Sequence, residues 1–208
     1  MAIDATDPHV ALRVQPQQRR ARRAVEHILD ATGLVLDQVG PDLLTTKAVA
    51  AAAEVNIATL YRYFPDRTAL LAELVRRYED DYRVHLRALF DELADASDWR
   101  TALRLAIPDM MALRSAQPGM EGLRRSQSAV PELRELQMHL DSSLIDAIAD
   151  VLVRRKPQLD HRRAVELATA AQATVNAVLS RRFDRLTPSI AADEAANLVI
   201  AYLAPTLG

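Results

Sequence analysis

No cysteine occurs anywhere in the 208 residues. That excludes a disulfide framework and every thiolate metal site. Glycine is nearly as scarce, at 5 residues, and no glycine-rich phosphate loop can be assembled from them. Aromatic residues make up only 4% of the chain. No apolar run approaches the roughly 20 residues that a membrane span requires. The opening MAIDATDPHV lacks the basic-then-apolar pattern of a secretory leader, so a cytoplasmic protein without membrane contact is expected. Net charge is only −2, which argues against bulk binding to a polyanion. The histidines His9, His27, His85, His139 and His161 are scattered. They form no paired-histidine zinc motif, and no nucleophile elbow accompanies them. Neither a metal nor a cofactor is expected, and catalysis has no visible seat.

What the chain does have is helix-forming material. Half of it is hydrophobic, with alanine, leucine and arginine abundant, which favours an all-α protein. Residues 1–16 are polar without a clear period and read as a flexible arm. A first helix is expected over Gln17–Val39, with Ala21, Val25, Ile28, Leu29, Leu36 and Val39 on its apolar face. Gly33 weakens it slightly, and Gly40-Pro41 stops it. A long helix should run from about Asp66 to Ala94, its core stripe formed by Leu70, Leu74, Tyr78, Tyr82, Leu86 and Leu89. Asp81 and His85 stand four apart on it, more simply an exposed ion pair than a metal site. Past the break at ADASDW, helices are expected over Asp98–Ser115, Gly119–Ser126, Pro131–Arg155, Asp160–Arg185 and Ser189–Ala204, with Trp99 as a packing anchor. Prolines and glycines punctuate them consistently. The total is about nine helices.

Between the first helix and the long one lies TTKAVAAAAEVNIATLYRYFPDR, Thr45 to Arg67. Thr45 and Thr46 are good caps for a helix carrying Val49 and Ala50, the small residue suiting a close helix crossing. Val55 sits in a turn, a second short helix begins at or just after Asn56, and Leu60 anchors it. Pro65 ends it, because the residue before a proline is pushed out of helical geometry. Asp66 caps the next helix. This is the spacing of a helix-turn-helix, whose second helix enters the major groove of DNA.

These residues resemble the signature of the TetR family of bacterial transcriptional regulators, strongly over about Arg19 to Arg76. The matching positions are Thr45, Val49, Ala50, Ala53, Val55, Thr59, Leu60, Tyr61, Tyr63, Phe64 and Arg67. Two positions depart from the pattern. Asn56 stands where the family has serine. Glu54 stands where it has a left-handed glycine, at a cost on the order of 1 kcal/mol. That leaves the turn geometry open. The resemblance implies a three-helix DNA-binding domain in front, residues 17–65, and a helical ligand-binding and dimerisation domain behind, residues 66–208.

The DNA-facing residues divide by task. Thr46 and Lys47 open the second helix, where N–H groups and a hydroxyl can bind phosphate. By resemblance, Lys47, Thr59, Tyr61 and Tyr63 match DNA-contacting positions, and Arg67 matches a basic phosphate contact. Tyr63 equally fills an apolar core position. Arg62 is either a reader of a guanine edge or a solvated residue. Ile57 and Ala58 suit thymine methyls. Arg13, Arg19, Arg20, Arg22 and Arg23 form an acid-free cluster, either a solvated face or a phosphate-contacting arm. Its place ahead of a helix-turn-helix favours the arm, with Arg19 and Arg20 as contacts.

One helix-turn-helix reads only a few base pairs, so a homodimer on a pseudo-palindromic double-stranded operator is expected. Leu167, Ala171, Val175 and Val178 on one rear helix, with Leu198 and Tyr202 on the next, are the expected interface of a four-helix bundle. The resemblance also implies a small-molecule effector that releases a repressor from its operator. Candidate pocket residues are Met110, Met111, Arg114, Met138, Gln172 and Asn176; the methionines suit an adaptable lining or ordinary core gaps, and Gln172 with Asn176 either face a ligand or hydrogen-bond across the dimer interface, the second being favoured. The competing reading is a helical protein-binding adaptor without sequence-specific DNA binding, which would show little salt dependence.

Overall fold

Helix punctuation in the computed structural model follows the caps in the sequence. The structure describes residues 12–14, 16–179 and 187–208, and among these there are nine helices and no strand. They are α1 (Arg19–Leu43), α2 (Thr46–Ala52), α3 (Ile57–Tyr63), α4 (Arg67–Asp95), α5 (Trp99–Ser115), α6 (Met120–Ala129), α7 (Pro131–Arg155), α8 (His161–Leu179) and α9 (Pro188–Leu207). The expected all-α class and helix number are found. The extension of the eighth helix toward Arg185 and most of the expected N-terminal arm lie outside the described residues. No described helix is long and apolar enough to cross a membrane.

Gly40 leaves helical geometry at φ 74°, ψ 173°, so the regular part of α1 ends where the sequence predicts, with a short turn to Leu43 beyond it. Val39, expected on the buried face, is instead 40% exposed beside this break, and Pro41 and Leu44 beyond it are buried. Asp98 accepts the Thr101 N–H at 3.2 Å and starts α5. Trp99 is buried and donates its indole N–H to the Gly208 carbonyl at 3.2 Å.

The chain falls into two compact units, residues 1–81 with 114–140, and residues 82–113 with 141–208. The core of the first holds Ile28, Leu29, Leu36, Val49, Leu60, Phe64, Leu70 and Leu74, joined by Leu123 of α6 and Leu133 of α7. The boundary expected near residue 65 follows the motif; compactness adds the start of α4, all of α6 and the start of α7 to the same unit. In the second unit α8 packs along α9. Its core includes Trp99, Ile107, Met111, Leu152, Leu167, Ala171, Val178, Ala195 and Val199.

Within the first unit, α6 meets α1 through glycines. A β-carbon on Gly33 would lie 2.8 Å from the Pro118 carbonyl oxygen, and one on Gly122 would lie 2.6 Å from Leu36 Cγ. Gly33, read in the sequence as a mild weakness of α1, is therefore the point that lets another segment approach its backbone. The Tyr78 hydroxyl donates to the Pro118 carbonyl at 2.7 Å, and Asp37 accepts the Gly119 N–H at 2.8 Å. Burial pushes the Tyr78 phenol above its ordinary range, which keeps it a neutral donor. Arg77 of α4 bridges to Asp30 at 2.7 Å and Glu26 at 3.3 Å on α1.

Candidate nucleic-acid interface

The short helices α2 and α3 are held by caps at each end. Thr45 accepts the Ala48 N–H at 3.1 Å and opens α2. Asn56, the serine replacement, accepts the Ala58 N–H at 2.8 Å and opens α3, so the substitution keeps the cap. Phe64 is extended at φ −114°, ψ 113°, as a residue before proline must be. Asp66 then accepts the Ala69 N–H at 2.9 Å and opens α4.

The turn between α2 and α3 keeps its left-handed residue although that residue is not glycine. Glu54 has φ 50° and, among the described residues, is the one non-glycine with positive φ. The Val55 N–H reaches back to the Ala50 carbonyl at 3.0 Å, and the Glu54 N–H to the Ala51 carbonyl at 3.1 Å. That pair of bonds is the Schellman closure of a helix C-terminus. Val55 packs against the first core, so side-chain burial pins the turn from the other side. The Glu54→Gly variant is therefore expected to be more stable by about 1 kcal/mol, relieving the left-handed backbone without altering the fold. Thermal unfolding followed by circular dichroism would register this as a rise of about 2–4 °C. An unchanged or lower midpoint would show that the glutamate side chain offsets the strain.

Leu60 and Phe64 are fully buried, and they fasten α3 to the core. The opposite side of α3 is open. Ile57 is 38% and Tyr61 41% exposed, Ala58 and Arg62 are exposed, and Thr59 is half-buried. Tyr63, placed among the DNA contacts by resemblance, has its ring in the core at 2% exposure; its alternative apolar role prevails because it shares the inward side with Leu60. Its hydroxyl accepts a hydrogen bond from Arg62, whose guanidinium lies 4.6 Å from the Tyr63 ring centre. Tyr61 and Thr46 join their hydroxyls at 3.0 Å, tying the end of α3 to the start of α2 on the exposed side. Lys47 stands exposed beside them, Arg67 is half-buried at the start of α4, and Arg19 and Arg20 are exposed at the start of α1.

These features place hydroxyls and cations around one short, projecting helix. A family model described as bacterial regulatory proteins of the tetR family matches residues 28–74, the segment that contains this arrangement. Over these residues the chain is similar to the TetR-family DNA-binding domain. Among solved structures, a protein assigned to the TetR-family transcriptional regulators of Mesorhizobium loti superposes with a TM-score of 0.75 at 16% identity. That match covers 90% of this chain and 98% of the other, and at that identity it shows the fold. A TetR-family transcriptional regulator from Streptomyces coelicolor matches with a TM-score of 0.63 and 27% identity over 91% of this chain and 100% of that one. The TetR layout thus extends through the rear helices. Among curated proteins, the nucleoid occlusion factor SlmA of Salmonella typhi is 33% identical over 92 residues, 44% of this chain. The match spans about half the length of that relative, 45%.

Arg13 was read in the sequence only as one member of a basic cluster, yet its N–H donates to the Tyr63 carbonyl at 2.8 Å, at the end of α3. Nothing in local sequence could signal this contact, since 50 positions separate the residues. The expected rear sites are distributed as follows. Leu167, Ala171 and Val178 are buried in the second unit's own core and Val175 is half-buried against it, whereas Leu198 is 50% and Tyr202 42% exposed. On α8, Leu167, Ala171 and Val178 are thus engaged in the core of their own chain. Among the expected pocket residues, Met110, Met111, Gln172 and Asn176 lie in the second unit, Arg114 and Met138 in the first. Met111 and Gln172 are buried, Met138 is 57% exposed, and Gln172 donates to Asn176 at 3.4 Å. An open cavity of about 490 Å³ elsewhere in the first unit is lined by Glu26, Asp30, Leu34, Arg77, Tyr78, Asp81, Gln117 and Pro118.

Proposed function

We propose that the protein is a DNA-binding transcriptional regulator that acts as a homodimer on a pseudo-palindromic operator and is released from it by a small-molecule effector. The carrying observation is the division of α3 into a buried side, Leu60 with Tyr63, and an exposed side bearing Ile57, Tyr61 and Arg62. A helix fastened in this way can lay its outer side chains in the major groove without unfolding anything. In this reading Thr46, Lys47, Tyr61 and Arg67 hold phosphates, with Arg19 and Arg20 beside them. Ile57, Thr59 and Arg62 meet base edges. Arg62 must leave the Tyr63 hydroxyl to do so, and a bidentate bond to guanine is worth about 1–3 kcal/mol of discrimination, enough to repay the exchange.

The dimer would form through the exposed face of α9. The effector would bind the rear helices and favour a state whose recognition helices no longer fit the operator; a coupling of about 1–3 kcal/mol suffices for regulation. Met110, Met111, Gln172 and Asn176, all of the second unit, remain the proposed effector residues. The likeness to SlmA covers less than half of this chain, so the partners of the rear helices rest on this proposal and not on that relative.

Selection of bound duplexes from a random-sequence pool tests the reading, followed by gel shifts across salt concentrations. A symmetric consensus is expected, with log affinity falling against log salt by about 0.9 for each phosphate neutralised. Binding that ignores sequence and barely responds to salt would instead favour the protein-binding adaptor.

A further inference from the structure

We infer that Arg13 is a fixed phosphate-binding residue at the C-terminal end of the recognition helix, held there by its own backbone, and that it reverses the sign of that end toward DNA. The inference rests on the reading of α3 as the DNA-facing helix.

The C-terminal end of α3 lacks a donor. In a helix, the carbonyl of Tyr61 would take the N–H of the residue four positions on. That residue is Pro65, which has no N–H. The last turn of α3 closes with the Phe64 N–H on Leu60, at 2.9 Å, which leaves the carbonyls of Tyr61, Arg62 and Tyr63 past the reach of the helix ladder. Carbonyls at a helix end carry partial negative charge, equivalent to about half an electron for a full helix. An uncompensated end of this kind would repel a DNA backbone lying across it.

Arg13 answers both problems from a distant part of the chain. Its N–H donates to the Tyr63 carbonyl at 2.8 Å, and its guanidinium approaches the Tyr61 carbonyl at 3.5 Å, the outer limit of a hydrogen bond. Leu12, immediately before it, packs against the first core and fixes the approach. The Arg13 side chain is exposed. It lies against the backbone of Tyr61, the residue whose hydroxyl meets that of Thr46. A full positive charge outweighs the partial negative charge of the carbonyls. The remaining guanidinium N–H groups suit a phosphate oxygen geometrically. Because the carrying bond comes from the backbone, the position of the residue does not depend on its side chain, and side-chain variants change charge without releasing the segment.

The test uses the full chain and a duplex selected by the unaltered protein. Arg13→Gln keeps N–H donors and removes the charge; Arg13→Lys keeps the charge. In a dimer, R13Q is expected to weaken binding to all duplexes alike and to reduce the slope of log affinity against log salt by about two, one phosphate per protomer. R13K is expected to keep the original slope. Both should retain the thermal midpoint to within a few degrees. R13Q binding with the original affinity and slope overturns the inference and leaves Arg13 as a helix cap. Failure of the unaltered protein to select any duplex would overturn the DNA reading beneath it as well, so the two failures are told apart by the parent protein alone.

Discussion

The Gly119→Ala variant is expected to be less stable than the parent by about 2–4 kcal/mol, the sum of a left-handed backbone penalty and overpacking. Gly119 sits at φ 74°, and a β-carbon there would lie 2.6 Å from the Gly33 carbonyl oxygen and 3.0 Å from Gly33 Cα. Both neighbours are backbone, so no rotamer change can make room. The Asp37 carboxylate that accepts the Gly119 N–H would be displaced with it. Thermal unfolding should show a midpoint lowered by about 10 °C for a chain of this size. Gly33→Ala separates the two causes. It presses on the same junction from a helical residue, and it should cost about 1–3 kcal/mol through overpacking alone. Because both substitutions push on one contact, the double variant should lose less than the sum of the single losses. A Gly119→Ala protein melting at the parental temperature would mean that α6 and α1 can separate freely. The first unit would then end without α6.

The second large effect concerns the proposed dimer. Leu198→Asp with Tyr202→Asp should yield a folded monomer whose affinity for a two-half-site duplex is lower by about 10²–10⁴-fold. The two side chains are 50% and 42% exposed, so their loss leaves the second unit's core untouched. The chosen charges face solvent in the monomer and would be buried without partners in a dimer. Light scattering reads the mass, and gel shifts with whole and half operators read the affinity. An unchanged mass would sink the α9 interface, and Ile190, 47% exposed on the same helix, would not rescue it. The parallel double substitution on α8, at Leu167 and Ala171, is expected to unfold the protein, because both residues are within the core of one chain.

The recognition region was legible in the sequence for reasons that can be stated residue by residue. Thr45, Asn56 and Asp66 each have a side chain that satisfies a helix N-terminus within three residues, a contact that distance along the chain already guarantees. Pro65 dictates the geometry of Phe64 with no outside help. Leu60 falls on the inward side of a short helix by periodicity. The ambiguous case was Tyr63, whose chemistry suits both a phosphate and a core. Periodicity put it inward, while family resemblance put its hydroxyl near DNA. Only its packing decided for the ring.

The rear helices were legible as helices and illegible as surfaces. An apolar helix such as α8 can meet its own chain or a second copy with the same residues, and Leu167 and Ala171 carry no mark of which. Glu54 shows the opposite limit. Its sequence position predicts strain, and whether the turn yields or holds depends on the cohesion of Val55 and the two closing hydrogen bonds.

By itself the sequence determined the helical class, the helix starts to within two residues, and the short helix that begins after Asn56, because each follows from interactions among neighbours in the chain; α6 and α9 run three residues past their expected ends. Tertiary structure alone decided the union of Gly33 with Pro118 and Gly119, the docking of Arg13 at Tyr63, and the burial of Leu167 and Ala171 within their own chain. Those depend on the close approach of segments far apart in sequence, and a local pattern of residue types carries no information about which backbone will arrive beside it.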